Sequence, residues 1–184
     1  MIVHSVKKSG RSKIPSLRIA ALIVSAIRDL VVLPFYGLRL VVKRLRPHPG
    51  HRSELRQFDV QPGVRILAFW KVVVNGTGPG MVCVVAEDEV LRFDCFGKRD
   101  GHYHIHPASE SVIYSAASYR LRFMEETMQG QIDRAAFELT SNVGAHVQRS
   151  SNPFVRWKRI DQEKLAAAVE AATQHIRSLM DAHR

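Results

Sequence analysis

The feature that most constrains the fold is a series of β-branched and aromatic runs, separated by short turns, between Val64 and Pro107. Residues 64–74 are rich in valine and aromatic side chains, and a glycine-rich segment at residues 75–80 follows them. Runs of this composition that end in such turns are typical of strands joined by tight connections. We therefore predict an antiparallel β-meander of about four strands. These are drawn from residues 55–60, 64–74, 81–86, 90–96 and the stretch from His102.

Beyond Pro107 the apolar residues of the sequence recur with the period of an α-helix. Apolar side chains recur at spacings of three and four in residues 109–129 and 132–147, and Asp161 is suitably placed to cap a last helix. Strands followed by helices predict an α+β domain with the helices packed on one face of the sheet. We expect the last helix to bury Leu165, Val169, Ala172, Ile176 and Leu179.

The excess of positive charge lies in the N-terminal part of the chain. Residues 1–56 hold 12 basic and 2 acidic side chains, a net of 12 − 2 = +10, which equals the formal charge of the whole chain. Composition then predicts a disordered basic tail over residues 1–14 and a basic amphipathic helical segment over residues 15–46. A linker over residues 47–52 and an α+β domain over residues 53–184 complete the predicted organisation.

Residues 15–46 have the pattern of a helix that lies in a membrane interface or in the groove of a partner protein. Arg28, Asp29 and Pro34 in its centre disfavour a membrane-spanning helix. An alternative left open is that the segment covers one face of its own domain. The apolar and basic residues predicted to bind a membrane or partner are Leu22, Ile23, Ile27, Leu30, Leu33, Leu40 and Val41, with Arg18, Arg28, Arg39, Lys43, Arg44 and Arg46.

The function that these features favour is that of a non-enzymatic accessory or adaptor protein. Its basic helix would dock on an anionic membrane surface or on a larger protein assembly. Because Cys83 and Cys95 are the only cysteines, a reducing compartment fits best, and we expect a cytoplasmic, membrane-associated location. Nucleic-acid binding by the basic arm is an alternative, and the sequence does not decide whether the chain is an enzyme.

Three histidines at alternate positions, His102, His104 and His106, form the densest cluster of reactive side chains in the sequence. On a strand they share one face, and neutral imidazoles in this arrangement can chelate zinc or another divalent metal. The same imidazoles could serve as acid and base in a ribonuclease or other phosphodiesterase. The remaining interpretation is an exposed polar face without chemistry.

The fourth member of this histidine cluster depends on the strand register, which the sequence leaves open. If residues 97–101 form the turn, the favoured registers place odd-numbered residues opposite even-numbered ones, which brings Cys95 to the histidines as a metal ligand. A shift of one residue brings Asp94 there instead. In the enzymatic interpretation, Asp94, His102 and His104 are the catalytic residues.

The stretch Phe93-Asp94-Cys95-Phe96, followed by Gly101-His102-Tyr103-His104 and Pro107, resembles a small uncharacterised bacterial domain. In that domain a Phe-Asp-Cys strand precedes a His-Tyr-His strand, and the resemblance implies an α+β fold over about residues 64–147. The stretch is also distantly similar to toxin components of toxin–antitoxin pairs. That similarity implies ribonuclease-like activity that depends on Asp94, His102 and His104.

If residues 15–46 form an interfacial helix, Leu30→Asp should reduce binding of the full chain to anionic liposomes by at least about tenfold. The substitution places a charge in the apolar phase, which is costly. Flotation at low and high salt measures the binding. Ser25→Asp adds the same charge on the polar side and should have a small, salt-dependent effect. Equal flotation of the two variants would contradict membrane docking by this face.

Overall fold

Six antiparallel strands form one sheet in the computed structural model, which describes residues 52–74, 76–98, 100–105 and 120–183. Strands that are adjacent in sequence are adjacent in the sheet. The predicted α+β class is therefore confirmed, with six strands in the described part instead of about four. They are β1 (Arg52–Gln61), β2 (Val64–Val73), β3 (Gly76–Val85), β4 (Asp88–Asp94), β5 (His102–Ile105) and β6 (Arg120–Arg122).

The predicted tail and amphipathic segment, residues 1–14 and 15–46, lie outside the described residues, as does the linker apart from Arg52. Arg52 is the first residue of β1.

The two faces of the sheet differ in chemistry because successive side chains of a strand point to opposite sides. One face, here called the helical face, packs against the helices and forms most of the core. The opposite face, here called the second face, combines a small apolar cluster with charged side chains. The helical face carries Ile66, Ala68, Met81, Cys83, Leu91 and Phe93, and the apolar cluster of the second face is Leu67, Phe69, Val82 and Val84.

Four helices follow the sheet in the described residues, and the longest of them matches its sequence prediction. Asp161 caps it by accepting a hydrogen bond from the Lys164 amide at 3.2 Å. All five residues expected to be buried along it are buried. Among the described helices, none is long and apolar enough to cross a membrane. The helices are α1 (Met128–Ser141), α2 (Val143–Arg149), α3 (Pro153–Arg156) and α4 (Gln162–Ala182).

The helix predicted over residues 109–129 is wrong for residues 120–127, which the structure describes as a strand and a connection. Residues 120–122 form strand β6, which pairs with β5, and Leu121 lies opposite Tyr103. Helix α1 begins only at Met128, where the Thr127 hydroxyl accepts the Gly130 amide. Pairing with a distant strand overrides the helical spacing of the sequence here. Residues 106–119, which include His106, lie outside the described part.

Gln131, a fully buried residue of α1, fixes the connection between β4 and β5. Its amide oxygen accepts the Gly97 N–H at 2.9 Å, and its amide nitrogen donates to the carbonyls of Glu125 and Lys98 at 2.8 and 3.4 Å. Gly101 lies directly against this side chain, since a Cβ there would be 2.0 Å from the amide oxygen. Helix α1 therefore sets the turn that leads into His102.

Gln131→Leu should lower the free energy of unfolding by about 1–3 kcal/mol, because it leaves buried backbone groups of the turn without a partner. Urea unfolding measures the change. Gln129→Leu on the same helix is the matched control, since Gln129 is exposed and bonds only to Asp133 in the described structure. Equal midpoints for the two variants would show that the buried amide does not hold the turn.

Candidate functional site

The second face brings Asp94, His102 and His104 together through the pairing of β4 with β5. Asp94 lies opposite His102, and Arg92 lies opposite His104. Even-numbered residues therefore face even-numbered ones across this pair. Of the two registers that the sequence leaves open, the structure has the one that places Asp94 beside the histidines.

The register that would bring Cys95 to the histidine face is not the one observed. Cys95 belongs to the core on the helical side and is 1% exposed. Burial, reinforced by the negative charge of Asp94, raises the pKa of its thiol well above the usual value. A protonated thiol is a poor metal ligand, so Cys95 does not fit the predicted ligand set.

The Asp94, His102 and His104 side chains meet within a few ångströms of one another. Oδ2 of Asp94 is 3.4 Å from Nε2 of His102 and 3.8 Å from Nε2 of His104. All three residues are buried, at 1%, 8% and 8% exposure. Their ligand atoms lie within 4.8 Å of one another, so this group could hold a metal ion.

Asp94 is an ionised carboxylate in this environment. Lys71 donates to both of its oxygens at 3.0 and 3.1 Å, and Nε of Arg92 lies 3.6 Å away. Burial alone would raise the pKa of this carboxyl group. The contact with His102 and the charges of Lys71 and Arg92 outweigh burial and hold the pKa below its usual range.

His104 is a neutral imidazole near pH 7. Burial lowers its pKa to about 4, and the positive charges of Arg92, His102 and Arg120 act in the same direction. The negative charge of Asp94 opposes them without prevailing. A neutral imidazole retains a lone pair, so His104 can accept a proton or bind a metal ion.

The tautomer of His102 follows from the contacts of its Nδ1 atom. Nδ1 lies 2.8 Å from the Asp100 carbonyl oxygen, which only accepts, and 3.1 Å from Nη2 of Arg120, which only donates. One nitrogen cannot satisfy both, and we assign its proton to the shorter contact because Arg120 is exposed and can turn toward solvent. Nε2 then faces the Asp94 carboxylate, where a bare lone pair would be repelled. This nitrogen is therefore the place where a proton or a cation is held.

Cations surround this group on the second face, and most of them were missed by reasoning from the sequence. Arg52 pairs with Glu89 at 2.8 Å, and Glu89 also contacts Arg92 at 3.5 Å. Among the described residues, four basic side chains and two carboxylates are linked in this group by ion pairs or hydrogen bonds, an excess of 4 − 2 = +2 before any charge on the imidazoles is counted. The basic residues are Arg52, Lys71, Arg92 and Arg120, and the acidic ones are Glu89 and Asp94.

A signal for two of these cations was present in the sequence. Lys71 interrupts the apolar run of β2 that follows Arg65, at a second-face position, which indicates a buried charge with a partner. Arg92 interrupts the apolar run of β4 in the same way. Arg52 gave no such signal, because it lies at the end of a segment with linker composition. The residues predicted to bind a membrane or partner, all within residues 15–46, lie outside the described structure, as does His106.

Comparison of the chain with protein-family models, with curated proteins and with solved structures finds no match. The resemblance carried by residues 93–107 therefore stays a prediction.

Lowering the pH from about 6.5 to 4 should destabilise the fold through His104. Its pKa is about 4 in the folded chain and about 6.5 when unfolded, so in this window only the unfolded chain gains the proton. The contribution of His104 to the free energy of unfolding is therefore fully present above pH 6.5 and is lost as the pH falls toward 4. Urea midpoints across this range should fall less steeply for His104→Gln than for the wild type. His175→Gln, on α4 away from the group, should keep the wild-type slope, and an unchanged slope in His104→Gln would contradict the assignment.

Proposed function

We propose that the described domain is a histidine-dependent enzyme that cleaves a phosphodiester, with RNA as its substrate class. The observation that carries the proposal is a pair of buried imidazoles on one ionised carboxylate, within a surplus of positive charge. Acid–base catalysis needs one imidazole without a proton and one with a proton, both near the reacting group. His104 and His102 are suited to these two roles.

In the proposed reaction, Nε2 of His104 takes the proton of a ribose 2′-hydroxyl. The 2′-oxygen then forms a bond to phosphorus while the bond from phosphorus to the 5′-oxygen breaks. His102, protonated at Nε2 and oriented by Asp94, gives its proton to the departing 5′-oxygen. The products are a 2′,3′-cyclic phosphate and a 5′-hydroxyl, and one proton has been accepted and one donated.

The cations around the histidines would stabilise the charge that develops on the phosphoryl oxygens. Lys71, Arg92 and Arg120 all lie within contact distance of Asp94 or His102. The charges of Lys71 and Arg92, which are largely shielded from solvent, act more strongly than in water because the effective dielectric constant is lower. Their arrangement favours a substrate that brings negative charge.

RNA is the preferred substrate class because it supplies its own nucleophile. Among the described residues, no serine, threonine or cysteine side chain hydrogen-bonds to His102 or His104. An enzyme that attacks with its own hydroxyl or thiol needs such a contact to activate the group. The ribose 2′-hydroxyl removes that need.

A metal-assisted version of this activity is the second candidate, favoured by the three converging ligand atoms of Asp94, His102 and His104. Zinc or another divalent ion would supply a Lewis acid or a bound hydroxide. Lys71 already donates to both Asp94 oxygens. Each cation about 4 Å from a single added charge opposes it by about 4 kcal/mol at an effective dielectric constant of about 20. The charge surplus therefore favours the metal-free reaction.

The accessory role of residues 15–46 remains a separate proposal, since these residues lie outside the described structure. A basic amphipathic segment could bring the domain to an anionic membrane, a protein assembly or a nucleic acid. None of these roles conflicts with catalysis by the second face.

The full-length protein should cleave single-stranded RNA and should leave the 2′-deoxy oligonucleotide of the same sequence intact. His102→Ala and His104→Ala should each lower kcat/KM by about 10²–10⁴, the range typical of a lost acid or base. His175→Ala is the matched control and should retain activity. Gel analysis should show a cyclic phosphate terminus on the product.

Chelation separates the two versions of this proposal. Activity that persists in excess chelator supports the metal-free reaction, whereas activity lost to chelator and restored by zinc supports the metal-assisted one. Cleavage that is the same in both histidine variants as in the wild type would overturn both versions.

A further inference from the structure

Arg52 is a buried cation whose hydrogen-bonding capacity is only partly used. Its side chain is 7% exposed, and Nη2 pairs with Glu89 at 2.8 Å. Its guanidinium carbon lies 4.6 Å from the centre of the Phe69 ring. Within the part of the chain that the structure describes, Nε and Nη1 of Arg52 have no hydrogen-bond acceptor, although both are buried.

The position of this guanidinium is fixed by the sheet beneath it. The Phe69 ring lies against Gly80, where a Cβ would be 2.4 Å from the ring. The ring in turn supports the guanidinium of Arg52, and Glu89 holds one edge of the guanidinium. The unused donors are therefore part of an ordered arrangement and do not belong to a mobile surface arginine.

Arg92 offers a further unused donor beside the same glutamate. Its Nη1 lies 3.5 Å from Glu89, while its buried Nε makes no hydrogen bond and lies 3.6 Å from the Asp94 carboxylate. Two guanidinium groups thus flank one carboxylate and retain three donor nitrogens without a hydrogen bond among the described residues. Such donors are costly to bury and call for an acceptor with several oxygens and a negative charge.

A phosphate group has this chemistry, since its oxygens match the fork of N–H donors on a guanidinium. We infer that Arg52 and Arg92 form a phosphate subsite next to the Asp94, His102 and His104 group. Arg92 contacts both Glu89 and Asp94, so the subsite adjoins the catalytic group directly. It holds the non-reacting phosphate that flanks the scissile one in a polynucleotide. The role in RNA cleavage rests on the proposed function, whereas phosphate binding itself does not.

Titration calorimetry with a short 2′-deoxy oligonucleotide, which lacks the 2′-hydroxyl, tests the subsite on the full-length protein. Arg52→Gln should weaken binding at least about tenfold, the effect of losing charge-assisted hydrogen bonds to a phosphate. Arg52→Lys keeps the positive charge that faces Glu89, so this variant should fold. It loses the planar fork of N–H donors, so it should bind the oligonucleotide several-fold more weakly than the wild type does. Inorganic phosphate should compete with the oligonucleotide for the wild type.

Arg65→Gln is the matched control, because Arg65 pairs with Glu87 on the same face and lies outside the group. Its affinity should equal that of the wild type. Wild-type affinity in folded Arg52→Lys, or equal losses in the Arg52 and Arg65 variants, would overturn the subsite. If binding depends on Arg52 and no RNA is cleaved, the subsite stands and the proposed enzymatic function falls.

Discussion

The contact on which the rest of the second face depends is the ion pair between the buried Asp94 carboxylate and Lys71. The same carboxylate orients His102, adjoins His104 and lies beside Arg92. A buried ion pair adds little net stability compared with apolar packing, because both charges must leave water. The pair therefore organises neighbouring groups more than it stabilises the fold, and without Asp94 four cationic or imidazole groups would lose their common partner.

The two faces of the sheet have different roles. The helical face stabilises the fold, and the second face carries the reactive side chains. The helical face buries the large apolar side chains against α1 and α4, which supplies the driving force for folding. On the second face, Leu67, Phe69, Val82 and Val84 form a small apolar cluster beside the charges. Apolar neighbours exclude water and strengthen each electrostatic contact in the group. A two-sided sheet can thus carry a buried polar site without weakening its main core.

The sequence predicted those features that depend on local periodicity and left open those set by distant contacts. Alternation along a strand was enough to place His102 and His104 on one face, and helical spacing identified the buried residues of α4. The choice between Asp94 and Cys95 depends on the shape of the β4–β5 turn, which Gln131 fixes from a helix 34 residues away. Strand β6 was missed for a similar reason, since only pairing with β5 makes its residues extended. Arg52 could not be assigned before its pairing with Lys71 and Glu89 was known.

Distances alone would assign Asp94, His102 and His104 to a metal ion, and the surrounding charges change that preference. A divalent cation would add two positive charges to the linked group of Arg52, Lys71, Arg92, Arg120, Glu89 and Asp94, which already has an excess of two, whereas a phosphate reduces this excess. Lys71 also occupies the carboxylate oxygens that a metal would use. Donors on Arg52 and Arg92 remain unsatisfied, and a cation cannot satisfy them. The ligand that meets both requirements, negative charge and several acceptor oxygens, is a phosphate, and this joins the acid–base pair and the arginine subsite into one proposed site.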